Sequence, residues 1–466
     1  MNTSGPCIDD ALLGDTLESV EGSIPRTLDI CNATAFRLAV LLQLRTYKLR
    51  RKTSVDDVWT RYTDSTSRLH DIQQIEGQIR VVFDEFIAEH RTTQEIERVL
   101  WSPFSISAHS SKQLRVADFL TSTDCPPQLA CHGVVMLSLD RLWRRGPCEG
   151  GPLRPANEHS RLDQFCTPRV LHCLDLITHL LYFGVLVSYV MHPPYETAGE
   201  NEEDTEIQRT GWREILLVIL SASILCRPWN IFKIPTLVLF IVFLLHLPTV
   251  PFAGGWGFDV LLVCFAMHAF QFHFPAAPSP LFFFKRSLPF AAFLVDGFYR
   301  VILPFLLFFL PIFVLITTWL SIALSETFFS PLSLIPTPIQ TRTTVLYLFF
   351  ALASVISCSL FVLVVQGRAL QDTGGWDGYS PSVGRSARAS FAKAVMVYST
   401  AFTFPAPFSL VNVLLLHVPA LFWTMILRRP LVAISEAQKL LWRLTVRPFA
   451  LPIAGLFLLF PDRRLG

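Results

Sequence analysis

The sequence predicts a mainly α-helical, polytopic membrane protein with an N-terminal cytosolic helical domain. Three observations carry that reading. First, the 466 residues are 51% hydrophobic and only 16% charged, and the mean hydropathy is +0.43. That is too apolar for a soluble enzyme of this length. Second, the apolar content is uneven: residues 1–168 mix charged and apolar residues, whereas long apolar runs dominate from Val170 onward. Third, seven acidic residues follow Glu214 against seventeen Lys or Arg, and most of the basic ones fall in loops that the span count places in the cytosol, Arg342 excepted. The net charge of +2 gives no bulk attraction to nucleic acid.

The start, "MNTSGPCIDDALLGDTLESVEGS", is polar and acidic. No basic stretch leads into an apolar core, so no cleavable signal is expected and the first span serves as the targeting signal. Residues 1–29 are predicted to be disordered and 30–168 to form the cytosolic helical domain. Within it, residues 30–51 read as an amphipathic helix with Phe36, Val40, Leu41, Leu44 and Tyr47 at helical spacing, closed by basic residues. Ser54 and Asp57 resemble a helix start. Leu69, Ile72, Ile79, Phe83 and Phe86 continue the spacing, and "TTQE" at 92–95 reads as a capping box. Four or five helices are expected. Residues 146–160 are Gly- and Pro-rich and read as a surface loop. The ten cysteines form no CxxC pair, and the spacing of Cys125, Cys131 and His132 does not suit a common zinc site. Asn2 and Asn32 lie in glycosylation sequons that a cytosolic location leaves unused.

Residues 169–275 are predicted to hold four spans: Leu171–Met191, Ile215–Cys226, Ile234–Leu247 and Phe258–Phe274. The loop after the first span is acidic and suits the far side. Pro228 in "RPWNIFK" disfavours one continuous helix, so the second and third spans form a hairpin, with Arg227 and Lys233 at the cytosolic interface. Residues 276–298 are too short and too charged to cross and read as an interfacial amphipathic linker. Asp296 and Arg300 lie four apart and can pair at the membrane edge. Residues 299–427 hold the later spans: 299–324, Thr343–Val365, and then Ala394–Phe404 and Leu410–Leu427 as a hairpin or re-entrant pair. Residues 428–466 form a basic amphipathic C-terminal segment.

Ionisable residues inside spans are functional candidates because lipid makes them costly. Here they are Asp175, His179, His246, Asp259, His268 and His417, of which His246, His268 and His417 lie deepest. The fourth span lacks the regularly spaced arginines of a voltage sensor. "PFSLVNVLLLHVPALF" at 407–422 and "KLLWRLTVRPF" at 439–449, within the order of elements above, resemble the transient-receptor-potential and polycystin class of six-span cation channels, in particular the fungal vacuolar calcium-channel relatives. That resemblance implies a calcium-permeable channel, an Asn412-bearing pore-lining helix and a homotetramer in a lipid bilayer; no cofactor is expected. Which membrane is left open, among vacuolar, endoplasmic-reticular and plasma membrane.

Asn412, His417, Asp377, Asp296 and Arg300 are the candidate ion-path or gating residues. Two filter placements stay open: the loop between 324 and 343, or "DTGGWDGYS", where Gly374, Gly375, Asp377 and Gly378 offer carbonyl and carboxylate oxygens. The second placement puts Arg385, Arg388 and Lys393 on the non-cytosolic side. The alternatives are a non-catalytic structural or adaptor membrane protein, or a membrane-embedded acyltransferase or terpene cyclase. An acyltransferase needs a buried His with a partner, and Asn412 and His417, five apart, do not share an α-helical face.

Overall fold

The computed structural model describes residues 8, 29–50, 57–106, 113–153, 161–191, 211–228, 230, 233–246, 256–284, 287–299, 375–400, 402–427 and 434–459. Helix dominates them. The strands among them are β1 (Phe104–Ser105) and β2 (Gln113–Leu114), an antiparallel pair that the sequence reading did not foresee. The chain divides into two compact units, one of Met1–Leu174, Arg388–Pro405 and Pro419–Gly466, the other of Asp175–Ala387 and Ala406–Val418. The predicted disorder of 1–29 (Ile8 and Asp29 aside), the spans at 299–324 and Thr343–Val365, and Arg300 lie outside the described residues.

In the first unit, α1 (Ile30–Arg50) and α2 (Val58–Ala88) form an antiparallel pair. Arg45 meets Glu76 at 2.7 Å and Lys48 meets Asp71 at 2.7 Å. Asp57 caps α2 by accepting the Thr60 N–H at 3.1 Å, as its position before the helix demands. Ile72, Ile75, Ile79, Phe83 and Phe86 are buried, each contributing roughly 1.5–3 kcal/mol. The predicted capping box starts α3 (Thr93–Trp101): the Glu95 N–H donates to Thr92, and Glu95 accepts the Thr92 N–H. Three further helices follow, α4 (Val116–Leu120), α5 (Pro127–Ala130) and α6 (Gly133–Arg145), so the domain has six described helices against the four or five expected. The short α4 and α5 lack the length to show a period.

Glu97, buried, accepts the Cys148 N–H and ties down the start of the Gly-rich loop. Cys125 is buried, which pushes its thiol up to about 12. His132 caps α6, its Nδ1 accepting the Val134 N–H at 3.2 Å.

The second unit is a bundle of the Asp175–Met191 part of α7 (Pro168–Met191) with α8 (Trp212–Leu225), α9 (Ile234–His246) and α10 (Trp256–Gln271). Tyr182, Leu186, Tyr189, Leu217, Leu239, Phe243 and Leu261 fill its core. Its outside is apolar as well: Ile177, Leu180 and Leu181 on α7, Ile215 and Ile219 on α8, Leu244 and Leu245 on α9, and Val263 and Met267 on α10 are all exposed. Asp175, Thr178, His179, Ser221 and His268 are turned inward instead. Apolar residues outside and polar residues inside invert the usual soluble pattern and suit a lipid solvent.

The stretch 276–298, expected as a linker, contains α11 (Ser287–Gly297), which runs on into a π-helical turn at 298–299. Beyond it come α12 (Pro381–Ser399), then α13 (Ala406–Asn412), a π-helical turn (Val413–His417) and α14 (Val418–Leu427), which form one continuous helix, and α15 (Ile434–Leu459). One expectation is corrected here. The run read from Ala394 begins at Pro381, so Arg385, Arg388 and Lys393 are helical and not in a loop. The described part of the C-terminal segment, Ile434–Leu459, is one 26-residue helix that continues through Pro448 and Pro452.

Among the described residues, three helices are long and apolar enough to cross a membrane: Pro168–Met191, Ala406–Ile426 and Ile434–Leu459. At 14 residues between its described caps Gly211 and Cys226, α8 is about 21 Å long, short of a ~30 Å hydrocarbon core.

Candidate functional site

The most concentrated polar chemistry lies inside the bundle, around Asp175 at the end of the second turn of α7. Its carboxylate is 1% exposed and both oxygens are engaged. Oδ2 accepts the Arg227 guanidinium, and Oδ1 accepts the backbone N–H of Ala406 at 2.9 Å. Ala406 is the first residue of α13, where backbone N–H groups lack intrahelical partners. Asp175 therefore caps a helix that is not its own. Ser409, one turn further, donates to the Ser223 and Ala406 carbonyls.

Arg227 and Lys233 come from the α8–α9 turn. Lys233 Nζ donates to the Ile224 carbonyl at 2.6 Å and the Arg227 carbonyl at 3.0 Å. It thus satisfies the C-terminal carbonyls of α8, where a cation is electrostatically favoured. Burial, then the Arg227 charge beside it, lowers the Lys233 pKa from 10.5 to about 8. Asp175, Arg227 and Lys233 together fix the turn of the hairpin and the start of α13.

Next to this knot sit two histidines. His179 Nδ1 bonds the Asp175 carbonyl at 2.9 Å. Its ring stacks on His268, with centroids 6.3 Å apart and planes at 5°. His268 is 1% exposed and packed among Tyr182, Phe183 and Phe272. Neither of its ring nitrogens has a hydrogen-bond partner among the described residues. Ser221 donates to the Tyr182 hydroxyl at 3.3 Å.

The sequence-named candidates lie elsewhere. Asp377 is exposed in the turn before α12. Its Oδ1 lies 2.1 Å, and the Trp376 carbonyl 2.7 Å, from where a Cβ on Gly384 would stand. The turn therefore folds back on the first turn of its own helix and needs glycine there. Ser380 caps α12 by accepting the Val383 N–H at 3.2 Å, and Pro381 occupies the first helical position. Asp296 is half-buried in α11, and its proposed partner Arg300 lies outside the described residues.

Asn412 and His417 flank the π-helical turn. The Val418 N–H donates to the Val413 carbonyl, five residues back. Such i→i+5 bonding brings residues five apart toward one face, and π turns recur at functional sites. The two side chains nevertheless differ in their surroundings. Asn412 Oδ1 is buried with no hydrogen-bond partner among the described residues, and His417 is exposed.

A second polar node lies in the first unit. Asp163, in a 3₁₀ turn (Arg161–Phe165), lies 3.3 Å from Arg443 and 3.5 Å from Arg447 of α15. Trp442 Nε1 donates to the Thr403 carbonyl at 2.9 Å, and Arg169 lies over the Phe457 ring. The spacing of Arg443 and Arg447, one helical turn apart, was the available sequence signal. The C-terminal half of α12 packs in this unit too. Phe391 and Tyr398 contact Trp143 at 5.9 and 6.3 Å, Tyr398 contacts His172, and Arg388 donates to the Cys131 sulfur.

Comparison with known protein families finds no match, and comparison with curated proteins finds none.

Proposed function

We propose that the chain is a polytopic integral membrane protein of the channel kind, a calcium-permeable cation pathway built from several copies, with α13–α14 lining the pore and the N-terminal domain in the cytosol. The observation that carries this reading is the helix Ala406–Ile426. It has 21 residues, it is apolar, and only 6% of its most apolar window is buried. Leu414, Leu415, Leu421, Phe422, Trp423, Met425 and Ile426 are exposed along it. Such a surface is unstable in water and calls for lipid or further helices. Yet the π turn presents the exposed His417, which lipid alone would leave unsatisfied. Copies arranged around an aqueous axis solve both problems: the apolar side meets lipid and neighbouring helices, and His417 meets water. The likeness of 407–422 and 439–449 to the transient-receptor-potential and polycystin class points the same way.

The test is cation flux through the full chain reconstituted in vesicles, read with a calcium dye and by planar-bilayer recording. Conductance that Asn412→Leu and His417→Leu alter, from an oligomer, supports the reading. No flux, together with a monomer in detergent, overturns it.

A further inference from the structure

The interior of the four-helix bundle changes character along its length. Three contacts set the levels along α7: Asp175 meets Arg227, Tyr182 meets Ser221 and His268, and Tyr189 meets Phe243. Leu186, Leu217, Leu239 and Leu261, none of them exposed, make much of the interior apolar. Toward Asp175 it holds polar atoms without a hydrogen-bond partner among the described residues. They are both ring nitrogens of His268, Thr236 Oγ1 and Gln271 Oε1. His268 and Thr236 are each 1% exposed. These atoms belong to one end of the bundle. Thr236 stands three residues beyond Lys233, about 4.5 Å along α9, and Lys233 bonds the Ile224 carbonyl at the α8–α9 turn. On α10, Phe265 stacks on Phe183 and His268 on His179. That helix therefore runs toward the Asp175 end, and Gln271 lies about one turn further along it. A buried polar group without a partner is costly, and most so where lipid lies outside. Four such atoms at one end call for something that bonds them.

We propose that this end of the bundle is a water-binding crevice, blind at its inner end, that brings water from the compartment faced by the α8–α9 turn to His268. The bonding pattern selects the ligand. His179 Nδ1 bonds a carbonyl, which can only accept, so that nitrogen carries the proton and Nε2 of the uncharged ring is an acceptor. An uncharged His268 offers one N–H and one lone pair, the Thr236 hydroxyl can do either, and Gln271 Oε1 accepts. Donors and acceptors are thus mixed. A cation would share the crevice with Arg227 and Lys233, while both Asp175 oxygens are already engaged. An anion would meet more lone pairs than N–H or O–H groups. Water both donates and accepts, and a bound molecule makes two to four such bonds. The crevice is blind because the leucines of the apolar interior leave no polar atom to lead water past His268. One-sided hydration also accounts for an uncompensated histidine inside a bundle whose outer surface suits lipid.

The inference rests on the bundle's own geometry and does not depend on ion conduction. Its test uses the full chain in vesicles. Hydroxyl radicals made by X-ray radiolysis of water oxidise side chains that touch water, bound or bulk, and mass spectrometry reads the products. Tyr182 and Tyr189 are both 0% exposed, so a dry bundle would protect them alike. The expected result is oxidation of Tyr182 and His268 several-fold faster than of Tyr189. A second measurement reads the two ends of the crevice in a chain whose reactive native cysteines are replaced by serine. Thr236→Cys should react with a charged, membrane-impermeant thiosulfonate from one side only, the side from which Asn230→Cys in the α8–α9 turn reacts. Leu239→Cys, about one turn deeper on α9, should stay unreacted. Equal protection of Tyr182 and Tyr189 overturns the proposal, as does a Thr236→Cys that is silent from both sides. Reaction of Leu239→Cys overturns the blind end.

Discussion

Asp175 accepts the backbone N–H of Ala406, 231 residues away in sequence, at 2.9 Å. One carboxylate therefore holds the first turn of the most exposed apolar helix and, through its other oxygen, the α8–α9 turn at Arg227. Removing it should leave the Arg227 charge and a helix N-terminus buried together. Asp175→Ala is expected to cost about 3–5 kcal/mol, measured by thermal or denaturant unfolding in detergent. Asp175→Asn keeps an oxygen for the Ala406 N–H and should cost less. In a double-mutant cycle with Arg227→Met the losses should be non-additive. Additive losses would show that the ion pair is not coupled.

Lys233 makes the bundle's stability depend on alkaline pH. Its folded pKa of about 8 lies below its ordinary 10.5, so between those values the unfolded chain binds more protons than the folded one. Stability then rises with pH across that window, as the desolvated ammonium loses its charge, and the contribution is unfavourable below pH 8. Lys233→Arg stays charged throughout. The melting temperature of the native chain should therefore gain on that of Lys233→Arg from pH 8 to 10. Parallel profiles would refute the assignment, and comparing the two chains cancels the opposing effect of the raised Cys125 thiol.

Trp143 holds the C-terminal half of α12 to the N-terminal helices. Its ring meets Phe391, Tyr398 and His172 within 5.3–6.3 Å, and its side chain is buried. Trp143→Ala should destabilise the first unit by about 3–5 kcal/mol. It should also release α12, read as faster proteolysis between residues 375 and 399. Trp143→Phe should keep most of the contact. Equal protection in all three chains would assign the docking of α12 to other residues.

What the sequence could show divides along physical lines. Local rules were readable: the capping box at Thr92 and Glu95, the start of α2 at Asp57, and the apolar runs of α7 to α10, because caps and hydropathy act within a few residues. The start of α12 was equally local but was masked by its three basic residues. Ser380 and Pro381 marked its beginning, and Val383, Ala387, Phe391, Val395 and Tyr398, all buried, mark its covered face. The ionic knot was not readable. Arg227 and Lys233 looked like interface anchors and Asp175 like a charge at a span end, since nothing near residue 175 announces a partner at 406. The π turn between Asn412 and Val418 was hidden for a related reason, because composition does not specify it.

The two filter placements make opposite statements about α12, and the helix itself decides between them in a labelling experiment. A helix of 19 residues carrying Arg385, Arg388 and Lys393 is too charged to cross lipid cheaply. Its half from Arg388 to Ser399 packs on Trp143 and Cys131 of the N-terminal domain. Its exposed start should then face the same compartment as that domain. Ser382 and Ser67 are both exposed. Cysteines introduced at each, in a chain whose reactive native cysteines are replaced by serine, should react with a membrane-impermeant maleimide from the same side of sealed vesicles. The exposed Asp377 turn would then lie on that side, and the filter must be built elsewhere. Labelling of Ser382→Cys and Ser67→Cys from opposite sides would put residues 367–407 across the membrane and restore them as the filter region.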